Sequence, residues 1–584
     1  MSVNEAPARA EAPPARPAVD PAPPVPPYRE ITVAAMVLGI VVGTVLTASM
    51  TYAGLVIGFV VPASAIAAIL GWGLLRGVLR RGSVVENNIN QTVASAVNNT
   101  AAGVIFTFPA LFLMDGVSFS PWAIGLASVA GAFLGTLFII PLRKQMVDLE
   151  RLRFPSGIAV AEILRSPGAS SAKSMYLIGA SVVAFVVGMA TNAGLVPAEV
   201  DLGKPLGFPA YMPNVWAISL LSVGAGFLSG RAGLTVLAGG LLANWVLAPL
   251  VVQLGWVPIP EGAEDVESVL AGTIFLEMIR PLGIGLLIGG AVAGVALAAP
   301  MIRAAFAALE TGAARKDGDE LPIGWMYGGT LGALALLFAA TYLGAPEIGF
   351  LRATVTAVIG TVWMWLAGVI VAQCTGMTDW SPVSGLALLA VTVVLVVSGG
   401  SVGLAVMIGA AVCVAISQGA DMMTDLKTGH LVGSLPRRQQ GAQLVVSWIG
   451  PIVSVLTVYL IWETMGFGPG TNIPATQAVA LQQMIEAIQG GNVPTTKYAV
   501  GALVGALLTF ATGGGLGVLV GLSMYLPVNY VLPYGLGCAL AIWVAGRPTG
   551  KQWIANVGIP VAAGFLVGDS LAGVIFSFVE LLKG

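Results

Sequence analysis

Between Glu86 and Thr100 the chain reads ENNINQTVASAVNNT, and it continues AAGVIFTFPALFLM without another charge until Asp115. Asn87, Asn88, Asn90, Gln91, Thr92, Asn98 and Asn99 crowd amide and hydroxyl groups beside a stretch apolar enough for lipid. Burying one such group in hydrocarbon without a partner costs roughly 2–7 kcal/mol. They must therefore face water, protein or a solute, and polar residues at membrane depth commonly line a pathway. Glu86, Asn87, Asn90, Gln91, Asn98 and Asn99 are the candidate substrate-binding groups here. The competing reading is a cytoplasmic loop in which Asn98 or Asn99 caps a helix.

A second unusual segment is SMYLPVNYVLPYGLG, from Ser523 to Gly537. Pro527 and Pro533 each remove a backbone donor, and Gly513, Gly514, Gly515 and Gly517 loosen the chain just before them. Interrupted helices at membrane depth expose carbonyls and amides that can coordinate a solute, which makes Tyr525 and Asn529 further substrate-binding candidates. The alternative is a pair of ordinary proline kinks.

Ionisable residues inside apolar runs are few. Asp569 interrupts the last run, in GFLVGDSLAGV, and a charge at that depth is costly unless it is paired, neutralised or functional. Asp569 and, second, Glu86 are the candidates for carrying a coupled proton; the alternative for Asp569 is a structural hydrogen bond. Glu162, Asp379, Asp421 and Asp425, like Glu86 itself, are expected near the membrane interfaces as solvated carboxylates. Glu277 and Arg280, three apart, suit a local pair.

The elements that position these groups follow from composition. Of 584 residues, 57% are hydrophobic and 9% charged, a balance that no water-exposed surface can carry, so the solvent is lipid. The apolar runs do not alternate as barrel strands would, and the fold class is therefore all-α and polytopic. Charge-free stretches divide into about sixteen spans of roughly 20 residues. They form a first half over 31–302 and a second over 321–584, about eight spans each, with re-entrant or broken segments. A polar linker at 303–320 separates the halves and holds Arg315, Lys316, Asp317 and Asp319. Residues 1–30, rich in Pro and Ala and without a leader's hydrophobic run, are expected to form a disordered cytoplasmic tail.

Basic residues favour the cytoplasmic side of a span. An inside amino terminus puts Arg76, Arg80, Arg143, Lys144, Arg151, Arg153, Arg231, Lys427, Arg437 and Arg438 inside, and the acidic loop at Glu261, Glu264, Asp265 and Glu267 outside. The same count leaves Arg547 and Lys551 outside, against the rule. A net charge of -2 gives no basic surface for nucleic acid. Cys374, Cys413 and Cys538 lack metal or disulfide spacing and read as core residues. No cofactor or metal site is expected. With His430 as the single histidine there is no H-E-x-x-H, and GRPTGKQ lacks the P-loop spacing, so neither a membrane protease nor an ATP-driven pump is indicated.

Four motifs resemble those of the oligopeptide transporter family, which includes the yellow stripe-like carriers of metal chelates. They are ENNINQTVASA, RFPSG at Arg153 to Gly157, MTDWSP at Met377 to Pro382, and TDLKTGH at Thr424 to His430 with Pro436 and Arg437 after it. They occur in that family's order across most of the chain. The resemblance implies about sixteen helices and proton-coupled uptake of small peptides or peptide-like metal chelates, in the plasma or inner membrane. The chain departs from the pattern at VNNTAAG, where Gly-Glu-Ser is more usual, and at Asp569, where Glu is. An ion or small-solute channel is the alternative function, and assembly as a homo-oligomer is left open.

Overall fold

The structure, a computed structural model, describes residues 29–583 except 59, 61–62, 81, 115, 118, 166, 258–265, 298–319, 379–382, 491–494 and 513–515. The amino-terminal tail, most of the acidic loop, the charged linker and Asp379 thus lie outside the described residues. Among the described residues nearly all of the apolar runs close their backbone hydrogen bonds within helices, as lipid requires. Among the described residues eleven helices are long and apolar enough to cross a membrane, with shorter apolar helices at Ser64–Val78, Pro155–Leu164 and Leu386–Val397.

In the first half the helices used below are α1 (Val33–Ile57), α2 (Ser64–Trp72), α3 (Val84–Asn98), α4 (Thr100–Ile105), α5 (Pro121–Ile139), α6 (Pro167–Asn192), α7 (Leu220–Leu241) and α8 (Arg280–Leu297). A two-stranded antiparallel hairpin, β1 (Glu199–Asp201) with β2 (Val215–Ala217), precedes α7. The second half supplies α9 (Val402–Val432), α10 (Pro436–Val446), α11 (Ile449–Thr464), α12 (Thr476–Ile488), α13 (Thr495–Thr512), α14 (Leu516–Tyr525), α15 (Val528–Ala545) and α16 (Ile559–Lys583).

Helices from residues 31–302 and from residues 321–584 interleave. α5 packs on α9, α6 on α16, α7 on α15 and α8 on α13, so each of these close pairs joins one half to the other. Glycines allow the approach: a Cβ at Gly131 or Gly135 of α5 would meet the carbonyls of Ala411 and Ala415 on α9. Small residues of this kind let membrane helices touch backbone to backbone. The helix α9 lies at the centre, with nearly every residue from Val402 to Gly429 buried.

One rim of the bundle is basic and ion-paired. Arg143 holds Asp148 at 2.9 Å and Glu320 at 2.5 Å, His430 Nδ1 lies 3.5 Å from Asp148, and Arg438 lies 3.3 Å from Glu30. The start of α6 belongs to this rim, because Arg165 donates to the Leu431 carbonyl at the end of α9. Since Gly564 and Gly568 of α16 meet Leu177 and Ser181 of α6 in the same order, the two helices run parallel. Arg547 and Lys551, just before α16, therefore share the basic rim. This corrects the expectation that they lie on the opposite side: the count allowed two spans within 498–546, where the chain forms three helices, α13, α14 and α15. The stretch 205–230 also differs from a plain span, holding β2 and the start of α7, which breaks at Gly230 (φ 53°).

Packing at α5 and α9 leaves no room for side chains at the glycine contacts. Gly131→Val and Gly135→Val should each destabilise the detergent-solubilised protein by about 1–3 kcal/mol. Gly125→Val, where a Cβ would meet nothing within 4 Å, should unfold with the unmodified chain. Thermal unfolding of the three variants checks this, and equal losses at all three positions would contradict it.

Candidate polar pathway between the halves

The helix α3 begins where Ser83 accepts a hydrogen bond from the Glu86 amide at 3.1 Å, the start of an S-x-x-E capping pattern. From Val85 to Asn98 every residue of α3 is buried. The segment is therefore an interior helix, which corrects the alternative of a loop with Asn98 or Asn99 as a side-chain cap. Its polar groups divide between two faces. Asn87 and Asn90 turn toward α2, donating to the carbonyls of Ala68 (3.0 Å) and Ala67 (3.4 Å), and Asn90 also donates to Asn87 Oδ1 at 3.1 Å. They tie α2 in place.

The other face meets α9 and α10. Ser95 Oγ lies 2.7 and 2.8 Å from the two oxygens of Asp421, and 2.7 Å from Ser64 Oγ. Asn99 donates to the Ser417 carbonyl at 2.5 Å, and Gln91 faces Asp425. Moving four residues along α3 moves the partner four residues back along α9. The helices are antiparallel and in one register, and α4 keeps it, since a Cβ at Gly103 would meet the Val414 backbone. From α10, Gln439 donates to Thr92 Oγ1 and to the Asp425 carbonyl, both at 3.0 Å, and near the rim Asn88 donates to Ser434 at 2.9 Å.

Several polar atoms in this layer have no protein partner. They include Gln91 Oε1, Asn98 Oδ1, Ser417 Oγ, both amide atoms of Gln418, both carboxylate oxygens of Asp425, Gln439 Oε1 and Gln443 Nε2, all buried. An unpaired buried polar atom costs about 1–3 kcal/mol, and a packed core carries few of them. Their concentration between three helices leaves donors and acceptors open at this level.

Asp421 and Asp425 correct the sequence reading. They were expected as solvated carboxylates near an interface, yet Asp425 is fully buried and Asp421 half-buried. The reason is helix length: α9 runs on to Val432, where the sequence reading ended the span at residue 420. Asp421 lies eleven residues from that end, about 16 Å at 1.5 Å per residue, which is half of a roughly 30 Å core. The spacing of Ser417, Gln418, Asp421 and Asp425 on one helical face was the signal that could have found them.

The remaining candidates lie elsewhere. Glu86 is 7% exposed at the rim end of α3, accepting from Thr32 Oγ1 at 2.5 Å. Asp569 accepts from the Leu221 amide at 2.8 Å and Ser219 Oγ at 3.4 Å, at the start of α7. Asn529 donates to Glu199 at 2.9 Å beside an open cleft. The Tyr525 side chain is outside the described residues. The chain break expected near Pro527 is present, between α14 and α15, while Pro533 sits inside α15.

Three of the four sequence motifs converge on the polar layer. ENNINQTVASA contributes Gln91, Thr92 and Ser95, and TDLKTGH contributes Asp425. RFPSG buttresses them, because Thr428 donates to the Gly157 carbonyl at 3.0 Å and Phe154 is fully buried with its amide on the Gly376 carbonyl at 2.9 Å. The family model of the OPT oligopeptide transporter protein matches residues 30–579. The chain belongs to the OPT family. It is a multi-pass membrane transporter and not an enzyme. A putative oligopeptide transporter of Haemophilus influenzae is 28% identical, covering 88% of this chain and 90% of its own. A putative oligopeptide transporter of Saccharomyces cerevisiae is 24% identical over 94% of this chain and 91% of its own. A probable metal-nicotianamine transporter of Oryza sativa subsp. japonica is 23% identical over 79% and 70%.

The two faces of α3 in this OPT chain should differ in reactivity. In a background without the natural cysteines, Gln91→Cys and Ser95→Cys should react with a membrane-impermeant thiol reagent during turnover. Asn87→Cys and Asn90→Cys, against α2, should react at least tenfold more slowly. Equal labelling on both faces would remove the pathway from this seam.

Proposed function

We propose that the protein is a secondary active carrier for small peptides or peptide-like metal chelates, driven by protons. The observation that supports this most is the layer of unpaired amides and carboxylates at mid-depth, between helices of the two halves. Carriers commonly bind at the midplane, where one repeat rocks against the other. Amides that both donate and accept suit a peptide backbone. Among the described residues no three His, Cys, Asp or Glu side chains come together, so a metal would be carried inside its chelate and read through the organic shell.

The full chain is read as about sixteen membrane segments in two halves of about eight, the short helices included, with the amino terminus and the basic rim cytoplasmic. Coupling requires a carboxylate that exchanges a proton between the two sides. Asp569 and Glu86 were the sequence candidates. The geometry favours the Asp421 and Asp425 pair: two carboxylates one helical turn apart need a positive counter-charge, and a proton supplies one. Asp569 instead serves donors at the start of α7. The channel alternative gains nothing from a layer so closely bridged by Ser95 and Asp421.

Uptake into proteoliposomes of a panel of di- and tripeptides and iron and nickel chelates, with and without an inward proton gradient, tests the proposal. Saturable uptake that the gradient drives above equilibrium is expected. Asp421→Asn should lose accumulation by at least tenfold yet keep exchange, and Asp569→Asn should retain the gradient dependence if it folds. Gradient-independent flux in the unmodified protein would refute coupling, and an Asp421→Asn variant that still accumulates cargo would move the coupling site elsewhere.

Epitope tags at the amino terminus and in the loop at Glu261 to Glu267 test orientation separately. Detection of the loop tag on intact cells, with the terminal tag visible only after permeabilisation, is expected. The opposite pattern would reverse the assigned sides.

A further inference from the structure

On the side of the bundle away from the basic rim lies a cleft of about 540 Å³, within the roughly 300–1,000 Å³ usual for small-molecule sites. Its side of the bilayer follows from α1 and from the continuous span of α10 and α11, which both start at the rim and end near the cleft. Leu55, close to the end of α1, accepts from Ala475, and α11 leads into the loop at 469–472 that forms one wall. Both halves contribute. Glu199, Tyr211, Asn244 and Arg280 come from the first, and Asn472 and Asn529 from the second.

The charges in the walls have a particular sense. Arg280 supplies a guanidinium, beside Tyr498. Two helices also begin at the cleft: α12, whose first residue Thr476 lines it, and α15, whose Val528 and Asn529 line it. Helix starts carry partial positive charge and unpaired amides, and they favour carboxylates. Among the described residues that line the cleft the one carboxylate is Glu199, exposed on β1 and held toward the cleft by Asn529. A wall that is positive at Arg280 and the helix starts and negative at Glu199 matches a molecule with an anionic and a cationic end.

We propose that this cleft is an outer substrate-binding subsite for zwitterionic peptides or chelates, with the carboxylate on Arg280 and the starts of α12 and α15 and the ammonium group on Glu199. The inference rests on the carrier reading above and adds a site to it. The break at Pro527 thereby has a role: it places the start of α15 in the cleft wall. The Glu199–Asn529 hydrogen bond also joins the hairpin of the first half to α15 of the second.

Uptake of trialanine, N-acetyl-trialanine and trialanine amide into proteoliposomes provides the test, with iron(III)–nicotianamine as a parallel cargo. For the unmodified protein, blocking either end of trialanine should raise KM about tenfold, the loss of one charge-assisted contact. Glu199→Gln should raise KM for trialanine by a similar factor with Vmax held within twofold, and it should erase the penalty for N-acetylation alone. Arg280→Gln should do the same for the amide. Because Glu199 is exposed, its variant decides the matter if Arg280→Gln fails to fold. Unchanged KM in Glu199→Gln, for whichever cargo the unmodified protein carries, would overturn the subsite and leave the carrier reading standing. Failure of the unmodified protein to carry either cargo would overturn both.

Discussion

The antiparallel seam of α3 and α4 on α9 is the constraint to which the rest of the structure answers. An amide-rich helix placed in lipid has to bury every polar group against protein, and here the match is made in one register, Gln91 to Asp425, Ser95 to Asp421 and Asn99 to Ser417. Slipping that register by one residue would rotate α3 by about 100° and set Gln91 and Ser95 against Leu426 and Met422 in place of the two carboxylates. Direction and depth of both helices are thereby fixed. The neighbours follow, since Gln439 reaches both α3 and α9 and seats α10, while Asn87 and Asn90 hold α2.

The seam is also where the halves meet, and this links stability to function. Glycine contacts between α5 and α9 and between α6 and α16 make rigid backbone-to-backbone joints. The polar layer, by contrast, is held by side-chain hydrogen bonds and leaves acceptors and donors unused at Gln418, Asn98 and Gln443. Hydrogen bonds of net value near 1 kcal/mol can be exchanged for bonds to a solute at little cost. Packed glycine joints cannot be exchanged in this way. Opening of the bundle is expected along the α3 part of the seam, with the glycine joints, that of Gly103 of α4 on Val414 of α9 included, moving as bodies.

Much of this was legible in the sequence. The cost of amides in lipid made Glu86 to Thr100 stand out, and the structure buries that segment in a helix against the second half. The pattern did not tell which neighbour each amide meets, because Asn87 and Gln91, one helical turn apart, lie on nearly the same side of α3 yet reach α2 and α9 respectively. Asp421 and Asp425 were missed because a long apolar run was divided by average span length, and α9 exceeds the average. The hairpin at β1 and β2 was missed for the converse reason: residues 205–230 are apolar enough to cross, yet Trp216 and its neighbours pair as strand before α7 begins. Helix α12 carries too many glutamines to register as a span, and only the fold shows that it begins beside the end of α1.

The central claim is that the seam between α3 and α9 must part for cargo to pass. Asn99→Cys with Ser417→Cys, in a background without Cys374, Cys413 and Cys538, places two thiols across it where the amide now meets the Ser417 carbonyl. Uptake would be measured before oxidation, after oxidation to the disulfide, and after reduction. The account predicts uptake in the reduced protein, at least tenfold loss on crosslinking, and recovery with reductant. Undiminished uptake by quantitatively crosslinked protein would contradict it.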